Sequence, residues 1–260
     1  MTETTSRRVA LISGGGRGIG ASISKALAED GCDIAINYNR KAEHAEATAA
    51  SIRDMGRRVF LHQASIDDPA ACEALVAATV AEYGRLDIVI NNAGISSLGR
   101  LMGDTDLAEI EKVMRVHTFG AFSLTKAALP HLIAAPRGDV IFLSSVATKM
   151  VAPHSGPYTM AKAATEAMAV TWAKELNRKG VFVNIVAPGL TATDMGSKLA
   201  KATRGVSQIE ELDAQMAFGH VCRPEEIAAV VSFLCSPKNS YISGERFYVE
   251  GANSGSERVK

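Results

Sequence analysis

Tyr158-Thr-Met-Ala-Lys162 heads a stretch of helical period, so its phenol and ammonium stand one turn apart on the same face. A free phenol holds its proton up to a pH of about 10, too high for efficient exchange near neutrality. A neighbouring ammonium favours the phenolate and is expected to lower that value. The Y-x-x-x-K spacing alone is common on solvated helix faces. Ser144-Ser145, closing the apolar run just upstream, gives it weight. A hydroxyl there can polarise a carbonyl oxygen while the tyrosine supplies the proton.

A second stretch suits a phosphorylated ligand. Ser13-Gly-Gly-Gly-Arg-Gly-Ile-Gly20 follows an apolar run and opens a helical one. Glycines permit a tight turn and close backbone approach, and a helix N-terminus offers N–H groups and positive potential to a pyrophosphate. The spacing is G-x-x-x-G-x-G (Gly14, Gly18, Gly20, with Gly16, Arg17 and Ile19 between) and departs from G-x-G-x-x-G. At the end of the second apolar run stands Asn37-Tyr-Asn-Arg40, with no carboxylate before Glu43. An acidic residue there would bond a ribose 2′-hydroxyl and repel a 2′-phosphate. Arg17 and Arg40 can instead give charge-assisted bonds to that phosphate, with Asn39 beside them. NADP(H) is therefore expected over NAD(H).

Elements to position these groups follow from periodicity. Short apolar runs at Val9–Ile12, Asp33–Asn37, Val59–Gln63, Leu86–Asn91, Asp139–Ser144, Val181–Ala187 and Arg246–Glu250 alternate with helical stretches. The helical stretches lie at about Gly18–Asp30, Glu43–Met55, Pro69–Tyr83, Leu107–His131, Tyr158–Lys179 and Pro224–Ser236. Alternation of this kind predicts an α/β fold, a parallel sheet covered by helices on both faces. No linker or repeat divides residues 1–260, which read as one domain. Residues 193–221 form a long excursion expected to be a substrate lid, and the tail at 252–260 is polar.

Bulk properties exclude several classes. Twenty-eight basic residues balance 28 acidic ones, which argues against a nucleic-acid partner, since that binding needs accumulated positive charge. The N-terminal segment lacks a signal-peptide core and no apolar run is long enough to span a membrane. Cys32, Cys72, Cys222 and Cys235 are scattered, and the six histidines lack i,i+4 spacing, so neither a disulfide nor a metal site is expected. These features suit a cytoplasmic protein with a small-molecule substrate.

Taken in order, Gly14-x-x-x-Gly18-Ile-Gly20, Asn91-Asn-Ala-Gly94, Ser145, Tyr158-x-x-x-Lys162 and Asn184 followed by Pro188-Gly189 resemble the short-chain dehydrogenase/reductase family across nearly the whole chain. The resemblance implies a doubly wound Rossmann-type sheet of seven strands in the order 3-2-1-4-5-6-7, and a homotetramer or homodimer. It implies that Asn92, Ala93 and Gly94 line the adenosine side, and that Pro188, Gly189, Thr191 and Thr193 flank the nicotinamide. It also implies that Lys162 holds the nicotinamide ribose, and that Ser145 orients a carbonyl which Tyr158 protonates. The pattern is most similar to 3-oxoacyl-(acyl carrier protein) reductases, and sugar and alcohol dehydrogenases share it.

The chain departs from that pattern at three places. Val116-His-Thr-Phe-Gly120 puts His117 where an asparagine usually supports a proton relay, and imidazole is expected to serve there, titrating near neutrality. Ser65-Ile66 stands where Asp-Val commonly meets adenine, and Glu250-Gly-Ala252 replaces an Asp-Gly-Gly ending. The first two departures open a rival reading, a weakened NADP(H)-binding sensor or scaffold; an NAD-dependent sugar or alcohol dehydrogenase is a further alternative. Candidates for the pocket wall are Ser96, Leu98, Met150, His154, Ser155 and the segment from Met195 to Phe218.

Overall fold

The structure, a computed structural model, describes residues 7–252; the predicted polar tail lies mostly outside them. Seven runs become strands: β1 (Val9–Ile12), β2 (Asp33–Tyr38), β3 (Val59–Gln63), β4 (Ile88–Asn91), β5 (Gly138–Leu143), β6 (Val181–Pro188) and β7 (Arg246–Val249). All pairs are parallel, in the order β3-β2-β1-β4-β5-β6-β7. This is the doubly wound order expected from the sequence.

The helices are α1 (Gly18–Glu29), α2 (Ala42–Asp54), α3 (Pro69–Tyr83), α4 (Leu107–Met114), α5 (Gly120–Ala134), α6 (Ala147–Met150), α7 (Gly156–Leu176), α8 (Asp194–Arg204) and α9 (Pro224–Cys235). Strand side chains alternate between two helical layers. In β1, Leu11 joins Val89, Val140 and Phe142 in a core with Leu75, Leu124, Trp172 and Leu176 of α3, α5 and α7. Its neighbour Ile12 joins Ile36, Ile90 and Ile141 in a second core with Ile23, Leu27, Ile52 and Val231 of α1, α2 and α9. Burial on both faces explains why these strands are apolar without alternation. Trp172 lies between Phe122 and Phe142, with ring centroids 5.5 Å and 5.9 Å away.

Two elements differ from the sequence expectation. The stretch 107–131 is not one α-helix: a π turn at Arg115–Phe119 separates α4 from α5. The wider turn carries an extra residue and changes which side chains face inward; His117 and Thr118 are the ones it buries. The lid region resolves into α8, capped by Thr193 through Gly196 N–H, and a 3₁₀ segment at Ile209–Gln215. These pack together through Ala200, Ile209, Leu212 and Val221, a small apolar centre separate from the sheet.

Of the predicted site residues, the glycine turn, Asn92 to Gly94, Ser145 and Pro188 to Gly189 lie at or just after the C-terminal ends of strands, while Tyr158 and Lys162 come from α7 and His117 from the π turn. The glycine turn after β1 is held from several sides: Asn37 Oδ1 accepts from Gly14 N–H (3.3 Å), and Asn92 Nδ2 donates to the carbonyls of Ser13 (2.9 Å) and Gly14 (3.1 Å). A Cβ on Gly20 would sit 2.2 Å from Gly14 O and 2.6 Å from Asn92 Nδ2. Gly20→Ala is therefore expected to cost on the order of 1–3 kcal/mol, read as a lowered urea midpoint. An unchanged midpoint would mean the turn relaxes freely.

Candidate active site

Ser145 follows β5 in a turn tied to β6: Ser144 N–H donates to Val186 O (2.8 Å) and Val146 N–H to Pro188 O (3.0 Å). Its Oγ accepts from Ala147 N–H (3.2 Å). Pro157 opens α7 at its first turn and sets the helix over this turn, so that Tyr158 shares a hydrogen bond with Ser145. One helical turn on, Lys162 is buried and its Nζ donates to Leu143 O at the end of β5. The structure thus brings Ser145, Tyr158 and Lys162 together as the sequence predicts.

The electrostatics differ from expectation in two respects. Burial holds the Tyr158 phenol above its ordinary pKa, with only the Ser145 hydrogen bond acting to lower it. The Lys162 ammonium, 5.7 Å from the Tyr158 ring centre and committed to Leu143 O, does not reverse that. Burial pushes Lys162 itself down to about 8, opposed by the Glu166 carboxylate.

His117 lies in the same cluster, its ring edge-on to Tyr158 with centroids 5.2 Å apart. Nε2 is 3.0 Å from Ile95 N and 2.7 Å from Ile95 O. Burial and the nearby Lys162 charge push its pKa down to about 3. The imidazole is therefore neutral and does not titrate near neutrality, which corrects the sequence expectation. Its ring also accounts for Gly94, where a Cβ would come within 2.5 Å of His117 Cε1.

His117 Nδ1 and Asn91 Oδ1 are buried without a partner among the described residues, and both line a small cavity of about 10 Å³ shared with Lys162 and Thr165. Asn91 spends its Nδ2 on Thr125 Oγ1 (2.9 Å), and the His117 carbonyl accepts from Thr165 Oγ1 (3.1 Å).

The dinucleotide end has an open helix terminus. Arg17 is the extended N-cap of α1 with no side-chain cap, and the first turn carries no acidic residue. Its amides are free to meet an anion. Arg40 stands exposed after β2 with no carboxylate paired to it, whereas Arg17 faces Asp194 of α8 at 3.5 Å. Ser65 accepts from Asn39 Nδ2 (3.1 Å) and donates to Asp67, so a carboxylate does lie near this end, two residues after the departure at Ser65. The Ile66 side chain is core, filling the space opposite Gly120. Pro188 ends β6, Gly189 N–H donates to Val249 O (2.9 Å), and Thr191 Oγ1 donates to Gly189 O (3.0 Å). These residues fit a nicotinamide dinucleotide laid across the ends of β1, β4 and β6.

A family model described as enoyl-(acyl carrier protein) reductase matches residues 14–252. A 3-oxoacyl-(acyl carrier protein) reductase of Staphylococcus aureus is 34% identical over 242 residues, 93% of this chain and 96% of that protein. The chain is a short-chain dehydrogenase/reductase. This short-chain dehydrogenase/reductase is also 34% identical to a hydroxynaphthalene reductase of Aspergillus fumigatus over 250 residues, 93% of this chain and 90% of that one. A short-chain dehydrogenase of Burkholderia cenocepacia, solved in complex with NADP, superposes with a TM-score of 0.85 at 34% identity, covering 95% and 97% of the two chains. The enzyme class is thus an NAD(P)-dependent oxidoreductase acting on a small molecule. Among the described residues no helix is long and apolar enough to cross a membrane, and no His/Cys/Asp/Glu cluster could hold a metal.

Sequence reasoning put Asn91 with the segment that supports the sheet and lines the adenosine side, whereas Asn91 lines the cavity beside Lys162. It passed over Thr165 and Glu166 altogether. Glu166 was within reach, since Tyr158, Lys162 and Glu166 continue one i,i+4 stripe.

The neutral His117 carries a stability consequence. In the unfolded chain a histidine takes up a proton below a pH of about 6.5, but in the fold His117 resists protonation down to about 3. The unfolded state binds the extra proton, so stability falls with pH across that window. His117→Asn is expected to lose less stability than the parent between pH 7 and pH 4, read as the change in urea midpoint. Equal losses in the two proteins would show that His117 is protonated in the fold.

Proposed function

We propose that this chain interconverts a carbonyl and a secondary alcohol with NADP(H), and that a 3-oxoacyl thioester is the substrate to test first. The observation that carries the reaction type is the convergence of Ser145, Tyr158 and Lys162 at the end of β5. A bound nicotinamide supplies or accepts the hydride. The chain's own groups manage the proton. Ser145 Oγ holds the substrate oxygen, and Tyr158 Oη donates its proton to that oxygen in reduction and takes it back in oxidation. Lys162, as an ammonium, stabilises the phenolate left behind.

Lys162 is supported from behind. The cavity beside Lys162 has the room of one water, and three groups there have capacity for it. A water accepts from Lys162 Nζ and donates to Asn91 Oδ1 and His117 Nδ1, the two unpartnered atoms. His117 with its proton on Nε2, donated to Ile95 O, presents Nδ1 as the acceptor this requires. Neutral His117 therefore orients that water, and through it Lys162, as a fixed acceptor rather than as a titrating group.

Preference for NADP(H) rests on Arg40, exposed at the end of β2 and without an ion pair among the described residues, where the strand itself ends in no carboxylate that would repel a 2′-phosphate. Arg17 can join it by exchanging Asp194 for the phosphate. The thioester rests on the 3-oxoacyl reductase relatives. An assembled Ser–Tyr–Lys set argues against a sensor without turnover. Exposed Phe119, Phe122 and Met160, beside the small outer residues Ala163 and Ala167 of α7, favour association of copies. A homotetramer in the cytoplasm is the arrangement we favour.

The decisive measurement is NADPH oxidation against a panel of 3-ketoesters, 3-oxoacyl thioesters and cyclic ketones. Tyr158→Phe is expected to lower kcat by about a hundredfold or more while leaving NADPH affinity within a few-fold of the parent. Turnover that survives Tyr158→Phe would sink the mechanism. The rate is expected to fall as pH rises through about 8, where Lys162 loses its proton. Arg40→Ala is expected to weaken NADPH binding by about tenfold, the worth of one charge-assisted contact, and to leave NADH binding unchanged. Equal effects on both cofactors would refute a 2′-phosphate contact.

A further inference from the structure

Among the described residues Glu166 is one of four buried acidic residues, with Asp33, Asp87 and Asp139, and it lies nearest the reacting set. It stands one turn beyond Lys162 on the stripe that begins at Tyr158, and only 3% of it is exposed. Both carboxylate oxygens are fully engaged. Oε1 accepts from Ser144 Oγ and from Thr148 Oγ1 (2.9 Å), and Oε2 pairs with Arg246 Nη2 of β7 (2.8 Å). Three donors therefore surround a carboxylate that is out of water.

The donors are the residues on either side of Ser145. Ser144 precedes it, and Thr148 closes the turn after it, with Thr148 N–H (3.2 Å) and Oγ1 (2.9 Å) both donating to Ser145 O. Helix α7 thus grips the end of β5 in two consecutive turns, Lys162 at Leu143 O and Glu166 at Ser144 Oγ. Arg246 carries the grip to β7, where its guanidinium donates to Tyr248 Oη (3.1 Å) on the strand that frames Pro188 and Gly189.

We propose that Glu166 is a positioning residue for the reaction: it clamps both flanks of Ser145 and is the buried negative charge that keeps Lys162 an ammonium. The proposal rests on the reading that Ser145, Tyr158 and Lys162 form the reacting set. The groups around Lys162 make the charge assignment specific. Its own helix offers Tyr158 and Glu166, and the π turn offers neutral His117. On β4 and β5 it meets only the uncharged Asn91 and Leu143 O. Arg246 lies beyond Glu166 and opposes its effect.

Two variants separate this role from simple packing, because they move Lys162 in opposite directions. Glu166→Gln keeps the shape and removes the negative charge, so Lys162 gives up its proton at lower pH. Arg246→Met removes the positive charge beyond Glu166, so Lys162 keeps its proton to higher pH. Each shift is expected to be about one pH unit, read by NMR titration of lysines labelled at Cε, with Lys162→Met assigning the signal. The basic limb of kcat against pH is expected to move the same way, with kcat in Glu166→Gln down about tenfold and KM for NADPH little changed. No shift in either titration, or shifts of the same sign, would overturn the proposal. So would parental kcat in Glu166→Gln. If Tyr158→Phe retained turnover, the reaction mechanism itself would fall, and the Lys162 titrations would still judge the charge assignment.

Discussion

A lysine ammonium buried against the end of a β-sheet must be partnered or discharged, and Lys162 meets that demand with groups from two elements. Leu143 O of β5 takes one of its protons, and Glu166 of its own helix supplies the opposing charge. The arrangement fixes α7 over β5, and so fixes Tyr158 over Ser145. It also dictates the state of its neighbour: beside a cation and out of water, His117 cannot hold a proton. Burial first, and this charge second, keep the imidazole neutral, and the same charge fixes the register of the reacting pair.

The two edges of the sheet show what this costs and why it is confined. At the N-terminal edge Asp87 and Asp139 are as buried as Glu166 and, like it, are engaged by arginine, Arg85 on one and Arg8 and Arg137 on the other. Those ion pairs join strands. At the C-terminal edge, Asn91 Oδ1 and His117 Nδ1 have no partner among the described residues, and Lys162 has N–H donors beyond the one given to Leu143 O. Of the five buried polar side-chain atoms without a partner among the described residues, these two lie beside Lys162, where water or a ligand can use them.

The architecture was legible because β-branched apolar runs and helical periods are local signals. The order of the motifs then supplied the sheet order, which no local signal contains. Ser145, Tyr158 and Lys162 were legible because their types and spacing state their chemistry. The protonation of those groups was not, since it depends on burial: Lys162 was expected to lower the Tyr158 pKa, and desolvation of the phenol outweighs it. Nor was the break in the helix at 115–119, because Val116-His-Thr carries no proline or glycine to announce a π turn. Ile66 was assigned to the cofactor, yet its side chain turns into the core, where α5 needs Gly120 to approach it.

The substitution at position 117 changes the topology of the network and not only one of its members. A carboxamide carries a donor and an acceptor at one end, so it can meet the N–H and C=O of a single residue at once. The imidazole brings one nitrogen, Nε2, to both groups of Ile95 and can serve only one of them in a given tautomer. The shorter contact is to the carbonyl, and Ile95 is only partly buried, so solvent can serve its N–H. The second nitrogen, Nδ1, is left buried without a partner among the described residues, on a ring that lines the cavity shared with Asn91 and Lys162. Where an amide would grip one residue from one end, His117 spans from the Ile95 backbone to the cavity behind Tyr158. The π turn that buries the ring and the glycine at 94 that clears its Cε1 are the structural conditions for that span.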